Sequence, residues 1–281
     1  MRKHVLIPTD FSSSAFNAVQ YAFELFKNRE CTFHIYHAYY IVASSKGNPL
    51  FPVPDELEYR TIRQSKNREM DILKENINRL SNNEKHQITY DFEYGFLTDL
   101  LKEKVESDSI DMIVMGTRGV TNNKDVAYGR NAINVMEKVR SCPVLAIPRN
   151  IKFEALNEIV FPTDFEAKFN LDEMETLRRI AETANASIQF LHIGSENNLD
   201  ETQQKNKQFL EDYFKSVEFS FHWLQDVALM EGLLLFVKQR KSSMISFVNR
   251  KHWFFGTIFT NPLIKNLGVH ATVPLLALHG Q

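Results

Sequence analysis

Cysteine, glycine and long apolar runs are all scarce in this sequence, and their scarcity excludes several classes of protein. The 281 residues include 2 cysteines, Cys31 and Cys142, too few for a disulfide framework or a cysteine metal cluster. No apolar stretch approaches the roughly 18 residues of a membrane-spanning helix. The first apolar run stops at Pro8, too early for a secretory signal. We therefore expect a cytoplasmic protein with reduced cysteines and no membrane partner.

The sequence also lacks an excess of basic residues. The formal net charge is −2, so nothing in the overall charge favours nucleic acid as a partner. Hydrophobic residues make up 43% of the chain and charged residues 24%, which is typical of a globular protein. A chain of this length has room for about two domains.

The sequence contains one internal duplication. The segment "HVLIPTDF" near the amino terminus has a counterpart in "EIVFPTDF", which places Asp10 opposite Asp164. Near the ends of the two copies, "CPVLAIP" corresponds to "VPLLALH". A period of about 150 residues is too long for a solenoid and suits two domains. We expect residues 1–149 to form the first domain and residues 157–281 the second.

Apolar runs that suit strands alternate with stretches that suit helices. The run "IDMIVMG" is typical of a strand buried on both faces, and Ala15, Ala18, Val19 and Ala22 predict an amphipathic helix after the first strand. This alternation predicts parallel βαβ units. The predicted fold is α/β, with two tandem Rossmann-like (adenine-nucleotide α-hydrolase-like) domains. Each is expected to have a five-stranded parallel sheet, in the order 3-2-1-4-5, between helices. The stretch from Tyr40 to Tyr59 is predicted to be a loop.

Three of the 10 glycines, Gly116, Gly119 and Gly129, fall in one short window. Glycine lets a backbone approach another group closely, and a phosphate is the candidate here. Arg130 and Asn131 follow at the start of a predicted helix, where free N–H groups and the helix dipole favour an anion. A surface loop that turns twice is the alternative.

Asp10 is expected to supply a carboxylate to the same site as the glycines. Ligands of open parallel sheets bind outside the carboxyl ends of the strands, where the strand order reverses. Asp10 ends the first predicted strand and Gly116 ends the fourth, so the two are expected to face one crevice. A carboxylate there suits a ribose hydroxyl or a base amino group. An acceptor on one side and an anion cradle on the other describe a nucleotide site.

At these residues the sequence resembles the universal stress proteins in their tandem form. The spacing G-x-x-G-x9-G, the wording "MGTRG" and the strand end "PTDF" carry the resemblance. In ATP-binding members of that family the glycine signature wraps the ribose and phosphates. The resemblance implies a stress-response regulator that binds ATP or a related adenine nucleotide in its amino-terminal domain. The implied nucleotide-binding residues are Pro8, Thr9, Asp10, Ala38, Met115, Gly116, Arg118, Gly119, Gly129, Arg130 and Asn131.

The sequence departs from the family pattern in two places. Arg130 stands where the signature has Ser or Thr, and its guanidinium could either grip phosphate or point into solvent. The second copy has lost the glycines, with Val248 replacing Gly116 and Lys251 replacing Gly119. Asp164 is therefore interpreted as binding N–H groups of the next helix. The segment 250–255 is basic and aromatic. It could stack on the bases of single-stranded nucleic acid, or it could form an interface or partly buried loop.

The function of the chain is thus narrowed to three classes. The leading one is the nucleotide-binding regulator, with a scaffold that binds no nucleotide and a slow ATP hydrolase as alternatives. Catalysis is the less favoured reading because no general base is positioned, and we assign no catalytic residue and no protein metal ligand. The expected cofactor is ATP or another adenine nucleotide, and any metal would be Mg²⁺ carried by the phosphates.

The last strand of each copy is apolar and begins with a proline. Left unpaired, these strands would be exposed hydrophobic edges. We expect residues 143–147 and 274–278 to pair antiparallel within the chain, giving an intramolecular pseudo-dimer that binds one nucleotide. Further association into a homo-oligomer stays open.

Overall fold

The computed structural model describes residues 2–40, 56–80, 82–117, 129–249 and 272–279. Several positions named above lie outside these ranges: Arg118, Gly119, Lys251 and the rest of the basic and aromatic segment 250–255.

Strands and helices alternate along both copies of the repeat. The strands are β1 (Lys3–Pro8), β2 (Cys31–Tyr39), β3 (His86–Tyr94), β4 (Met112–Gly116), β5 (Val144–Ile147), β6 (Glu158–Pro162), β7 (Ser187–Ile193), β8 (Phe219–Leu224), β9 (Met244–Val248) and β10 (Leu275–Leu278). The helices are α1 (Ser13–Leu25), α2 (Glu56–Leu80), α3 (Leu97–Ser107), α4 (Arg130–Lys138), α5 (Leu171–Ala184), α6 (Glu201–Tyr213) and α7 (Leu229–Arg240). None of the helices in the described ranges combines the length and apolar character that crossing a membrane requires.

All ten strands form one sheet, in the order β3-β2-β1-β4-β5-β10-β9-β6-β7-β8. Within each half the strands are parallel and follow the predicted order 3-2-1-4-5. The halves meet where β5 and β10 pair antiparallel, with Leu145 opposite Leu276. The predicted fold class and the antiparallel pairing of the last strands are therefore confirmed.

Helices cover both faces of the sheet because the strand side chains alternate between two hydrophobic cores. Val5 and Ile7 point into one core, which α1, α2, α5 and α6 cover. Leu6 points into the other, beneath α3, α4 and α7. Each core runs through both halves, so neither half buries its apolar surface independently of the other at the join.

The predicted loop from Tyr40 to Tyr59 is wrong in its last part, because α2 already begins at Glu56. The buried stripe of this helix, Met70, Leu73 and Ile77, is as the periodicity predicts. The first turns of α2 precede that stripe and lack an apolar periodicity of their own. A helix that starts on polar residues gives no such signal before its buried face begins.

Polar contacts reinforce the join between the halves. The Asn249 side-chain amide donates to the Met136 carbonyl at 2.6 Å, and Arg140 Nη1 donates to the Asn249 carbonyl at 3.2 Å. The buried His279 ring lies between two carbonyls, with Nδ1 3.1 Å from Cys142 O and Nε2 2.9 Å from Met136 O. The second half therefore satisfies backbone carbonyls at the carboxyl end of α4, which a helix leaves without internal partners.

Ser246 carries a buried hydroxyl in the middle of β9. Its side chain is 0% exposed, and Oγ has no hydrogen-bond partner among the described residues. The corresponding residue of the first half is Val114. Because a buried unsatisfied hydroxyl costs about 1–3 kcal/mol, we expect Ser246→Ala to raise the free energy of unfolding by about 1 kcal/mol in urea denaturation.

Ser242→Ala is the matched control for this prediction. The Ser242 side chain is also buried, but its hydroxyl donates to Glu158 Oε1 at 2.6 Å. Losing a hydrogen bond to a charged acceptor should lower stability by about 1.5–3 kcal/mol. If both substitutions destabilised the protein equally, Ser246 would have a partner and the prediction would be wrong.

Candidate functional site

The "PTDF" segment forms a tight turn between β1 and α1. Thr9 Oγ1 accepts from the Phe11 N–H at 3.0 Å, and Asp10 Oδ1 accepts from the Ser12 N–H at 3.1 Å. Phe11 adopts a left-handed conformation with φ 63°, which is uncommon for a residue with a side chain. Ser12 then caps α1 by accepting from the Ala15 N–H at 3.2 Å, as expected for a serine at a helix start. The turn leaves Asp10 half-buried at the end of β1.

The second copy repeats the turn almost atom for atom. Thr163 Oγ1 accepts from the Phe165 N–H at 3.0 Å, Asp164 Oδ1 accepts from the Glu166 N–H at 2.9 Å, and Phe165 has φ 59°. These bonds therefore build the turn itself, whatever each copy binds. Asp164 was interpreted as binding N–H groups of the next helix. That is wrong in detail, because its N–H partner belongs to the turn and α5 begins only at Leu171.

A histidine of the next strand holds each turn from behind. His37 Nδ1 donates to the Thr9 carbonyl at 2.7 Å, and His192 Nδ1 donates to the Thr163 carbonyl at 3.0 Å. The His37 ring also lies 4.4 Å from the Phe11 ring, centroid to centroid. Burial lowers the pKa of His37, which keeps the ring neutral as a fixed hydrogen-bond donor.

Gly116 lets β4 and α1 pack closely. A Cβ added at this position would lie 2.5 Å from the Ser14 carbonyl oxygen and 2.7 Å from the carbonyl carbon. Both are backbone atoms of the first turn of α1, so they cannot move aside without displacing the helix. Sequence reasoning assigned this glycine to the approach of an anion; the structure gives it a packing role as well.

The second copy accommodates a side chain at the equivalent position. Val248 is buried there at the end of β9. The residue that corresponds to Ser14 is Lys168, which precedes α5, because this helix starts four residues later than α1 does relative to the shared turn. At this point the second half has no helical turn equivalent to the one that excludes a side chain in the first half.

A cavity of about 180 Å³ opens between the carboxyl ends of β1 and β4. It is lined by Pro8, Thr9, Asp10, Ala15, Ala38, Leu97, Met115, Gly116, Thr117, Gly129, Arg130, Asn131 and Ala132. Nine of the eleven residues predicted for the nucleotide site therefore line one cavity. The other two, Arg118 and Gly119, lie outside the described residues.

The amino terminus of α4 forms one wall of this cavity. Gly129 is the N-cap residue and has no side chain to cap the first N–H groups of the helix, and the first turn has no acidic residue. These N–H groups have no acceptor within the helix. Arg130 and Asn131 are exposed and line the cavity. This wall therefore offers backbone donors, the positive end of a helix dipole and a guanidinium to an anion.

Four lining residues were not predicted: Ala15, Leu97, Thr117 and Ala132. Thr117 is buried and ties the cavity floor together, since its N–H donates to the Ile147 carbonyl at 3.1 Å and its carbonyl accepts from the Gly129 N–H. In the sequence, only its position directly after Gly116 indicates that Thr117 belongs to the site. Ala15 and Ala132 lie on buried helix faces, where a small residue gives no functional signal.

In the second half, side chains of α6 bind the turn that corresponds to the one at Asp10. Gln203 Nε2 donates to the Asp164 carbonyl at 2.9 Å, and Asn206 Nδ2 donates to the Phe165 carbonyl at 2.7 Å. Both side chains come from α6, which lies over the turn, and Asp164 is only 2% exposed. This carboxylate is therefore less accessible than that of Asp10, which is half-buried.

A larger cleft of about 550 Å³ lies elsewhere, between the start of β1 and α5. Most of its charged residues pair with one another: Lys3 pairs with Asp111, and Arg178 pairs with Glu175 at 2.6 Å and with Glu182 at 2.7 Å. None of the predicted site residues lines it. Size alone therefore does not make it the better candidate, because most of its charges are already paired.

The cavity, its glycines and the turn at Asp10 lie in the part of the chain that matches a known family. The profile of the Universal stress protein family matches residues 1–148, more than half of the chain. The chain belongs to the universal stress protein family. No curated protein matches the sequence.

Solved structures resemble the chain over both halves. A universal stress protein from Archaeoglobus fulgidus DSM 4304 superposes with a TM-score of 0.73 at 14% identity, covering 98% of each chain. A putative universal stress protein from Pseudomonas aeruginosa UCBPP-PA14 gives a TM-score of 0.61 at 8% identity, covering 99% of this chain and 93% of the other. At such identities the likeness establishes the fold alone. Both halves of this member thus share the tandem architecture of full-length relatives.

Proposed function

We propose that this universal stress protein is a stress-response regulator that binds ATP or another adenine nucleotide in its first half. The phosphates would lie at the amino terminus of α4, near Arg130 and Asn131. Asp10 would accept a hydrogen bond from the ribose or the base. Membership of the family supports the stress-response role, and the cavity supports the binding.

The observation that carries the proposal is the amino terminus of α4, with a glycine at its N-cap, in the same cavity as Asp10. Such a helix start favours phosphate, since its N–H groups and dipole both attract an anion. A carboxylate would repel a phosphate, so Asp10 suits the uncharged part of the ligand. The two walls therefore orient a molecule that is anionic at one end and carries hydroxyl or amino groups at the other.

We propose further that the ranges 1–149 and 157–281 act as two domains with different tasks. The first holds the nucleotide. The second, whose turn is bound by Gln203 and Asn206 and whose Asp164 is buried, covers the hydrophobic edge of the first through β10. On this proposal each chain binds one nucleotide.

Mg²⁺ would accompany the nucleotide on the phosphates. Within the described ranges no group of three or more His, Cys, Asp or Glu side chains is arranged to hold a metal ion. Mg²⁺ retains several waters and commonly binds through one or two carboxylates together with substrate phosphates. The protein would therefore contribute little to the metal site beyond orienting the phosphates.

Titration calorimetry with ATP and adenosine tests the proposal. We expect about one ATP per chain, and we expect Arg130→Ala to weaken ATP binding by about 1.5–3 kcal/mol because a charge-assisted contact to phosphate is lost. Adenosine has no phosphate, so its affinity should not change.

Lys138→Ala is the control, since it removes a cation from the same helix at the end far from the cavity. It should leave ATP affinity unchanged beyond a small general electrostatic effect. Absence of ATP binding to the wild-type protein, or two ATP molecules per chain, would contradict the proposal. An equal loss with ATP and adenosine in Arg130→Ala would show that this side chain does not bind the phosphates.

A further inference from the structure

Two exposed aromatic rings stand at the edge of the cavity. The side chain of Tyr40 is 45% exposed and that of Phe96 is 60% exposed. Their rings are stacked, with centroids 4.4 Å apart and 20° between the planes. Tyr94 stacks on Tyr40 at 5.7 Å and keeps it in place. Large aromatic side chains usually bury their faces, so a fixed, exposed pair forms a surface that can take a planar apolar group.

The chain connects this pair directly to the cavity lining. Phe96 immediately precedes Leu97, and Tyr40 follows Ala38 by two residues, directly after the end of β2; both Leu97 and Ala38 line the cavity. In the sheet order, β2 and β3 lie on one side of β1, and β4, which leads to α4, lies on the other. The aromatic pair is therefore at the end of the cavity opposite the helix amino terminus.

The size of the cavity leaves part of the ligand outside it. Sites for drug-sized ligands usually enclose about 300–1,000 Å³, and this cavity has about 180 Å³. A nucleotide with its phosphates at α4 would fill it with phosphate and ribose. The base would then extend past Ala38 and Leu97, toward Phe96.

We propose that Phe96, supported by Tyr40, is the stacking surface for the base of the bound nucleotide. This inference rests on the nucleotide-binding function proposed above and adds a residue pair to it. A purine presents a flat apolar face of about the size of these rings, and stacking of a base on an aromatic side chain is sequence-tolerant and strong. Stacking thus supplies affinity at the uncharged end of the ligand, where the cavity itself offers mainly the apolar side chains of Ala38 and Leu97.

Calorimetric titration of the full chain with ATP, adenosine and inorganic tripolyphosphate tests this assignment. Removing a base–aromatic stack, as in Phe96→Ala, should weaken ATP and adenosine about tenfold each. Tripolyphosphate has no base, so its affinity should stay at the wild-type value. Phe96→Trp, which keeps an aromatic face, should retain the affinity for ATP.

Leu171→Ala is the matched control, because Leu171 is 61% exposed but lies in the second half. It should change none of the three affinities. If the wild-type protein binds ATP, and Phe96→Ala binds ATP and adenosine with the wild-type affinities, the stacking surface is wrong. The nucleotide-binding function would still stand in that case. A matching loss for tripolyphosphate would also overturn it, since that would indicate a general disturbance of the site. A wild-type protein that binds no ATP contradicts the proposed function itself, and the stacking surface with it.

Discussion

Gly116→Ala should destabilise the protein by about 3 kcal/mol, although it adds only one methyl group. The new Cβ would lie 2.5 Å from the Ser14 carbonyl oxygen, well inside contact distance. Overpacking against side chains costs about 1–3 kcal/mol, and here the obstacle is the backbone of α1, which cannot change rotamer. Either α1 or β4 must shift, and both carry residues of the cavity. ATP affinity should therefore fall together with the free energy of unfolding, measured in urea.

Gly232→Ala is the control for this experiment. Its new Cβ would meet the ends of side chains, the nearest being Val227 Cγ1 at 3.0 Å and Ile193 Cδ1 at 3.2 Å. These atoms can move. In addition, alanine stabilises a helix interior such as that of α7 by about 1 kcal/mol relative to glycine. We expect the stability to change by less than about 1 kcal/mol. Stability of Gly116→Ala equal to that of the wild type would show that α1 adjusts freely, and the packing role of Gly116 would be wrong.

The elements of the fold could be predicted because their signals are local. The run "IDMIVMG" predicts the buried strand that the structure places at Met112–Gly116. The spacing of Met70, Leu73 and Ile77 predicts the buried face of α2, and all three are buried. The repeated "PTDF" indicates a duplication, and the structure forms two equivalent turns there with the same hydrogen bonds. In each case the residues that decide the structure are neighbours in the sequence.

The reason for Gly116 could not be read in the same way, because its contact lies about a hundred residues away in Ser14. A glycine beside a predicted phosphate site is naturally assigned to the phosphate. The spacing of glycines cannot distinguish a backbone that approaches a ligand from one that approaches a helix. Only the packing of α1 on β4 shows that the second explanation applies here as well.

The support of the second turn depends on contacts between distant elements too. Val248 in place of Gly116 indicates correctly that the second copy has changed, and the loss of its glycines is visible in the sequence. The side chains that bind the second turn, Gln203 and Asn206, belong to α6, whose sequence is largely polar. Polar side chains that bind a buried turn have the same sequence pattern as polar side chains in water.

His279 links the stability of the whole molecule to pH. The ring is 8% exposed and lies at the join, between carbonyls of the first half. Burial lowers its pKa from the usual 6.5 to about 4, with the positive charge of Arg140 acting in the same direction, although the Met136 and Cys142 carbonyls favour the charged ring. The folded protein therefore holds this histidine neutral at a pH where an unfolded chain would already be protonated.

Acidification from pH 6.5 to pH 4 should consequently remove about 3 kcal/mol of stability through this one residue. Its folded-state pKa lies below the unfolded value, so the contribution is complete above pH 6.5, is lost between pH 6.5 and about 4, and is constant below that. Burial also lowers the pKa values of His37 and His192, so these residues likewise reduce the stability on acidification. The test compares urea-unfolding free energies across this range for wild type and for His279→Asn, which does not titrate.

The decisive quantity is the slope of the unfolding free energy against pH, not the stability at one pH. His279→Asn itself lowers stability, since it disturbs the contacts of the ring with Asn249 and Met136. It should nevertheless lose about 3 kcal/mol less than the wild type between pH 6.5 and 4, because one proton fewer is taken up on unfolding. Ser246→Ala keeps every histidine and should show the wild-type slope. Parallel pH profiles for wild type and His279→Asn would mean that His279 titrates normally in the folded protein, and that the join opens enough for water to reach it.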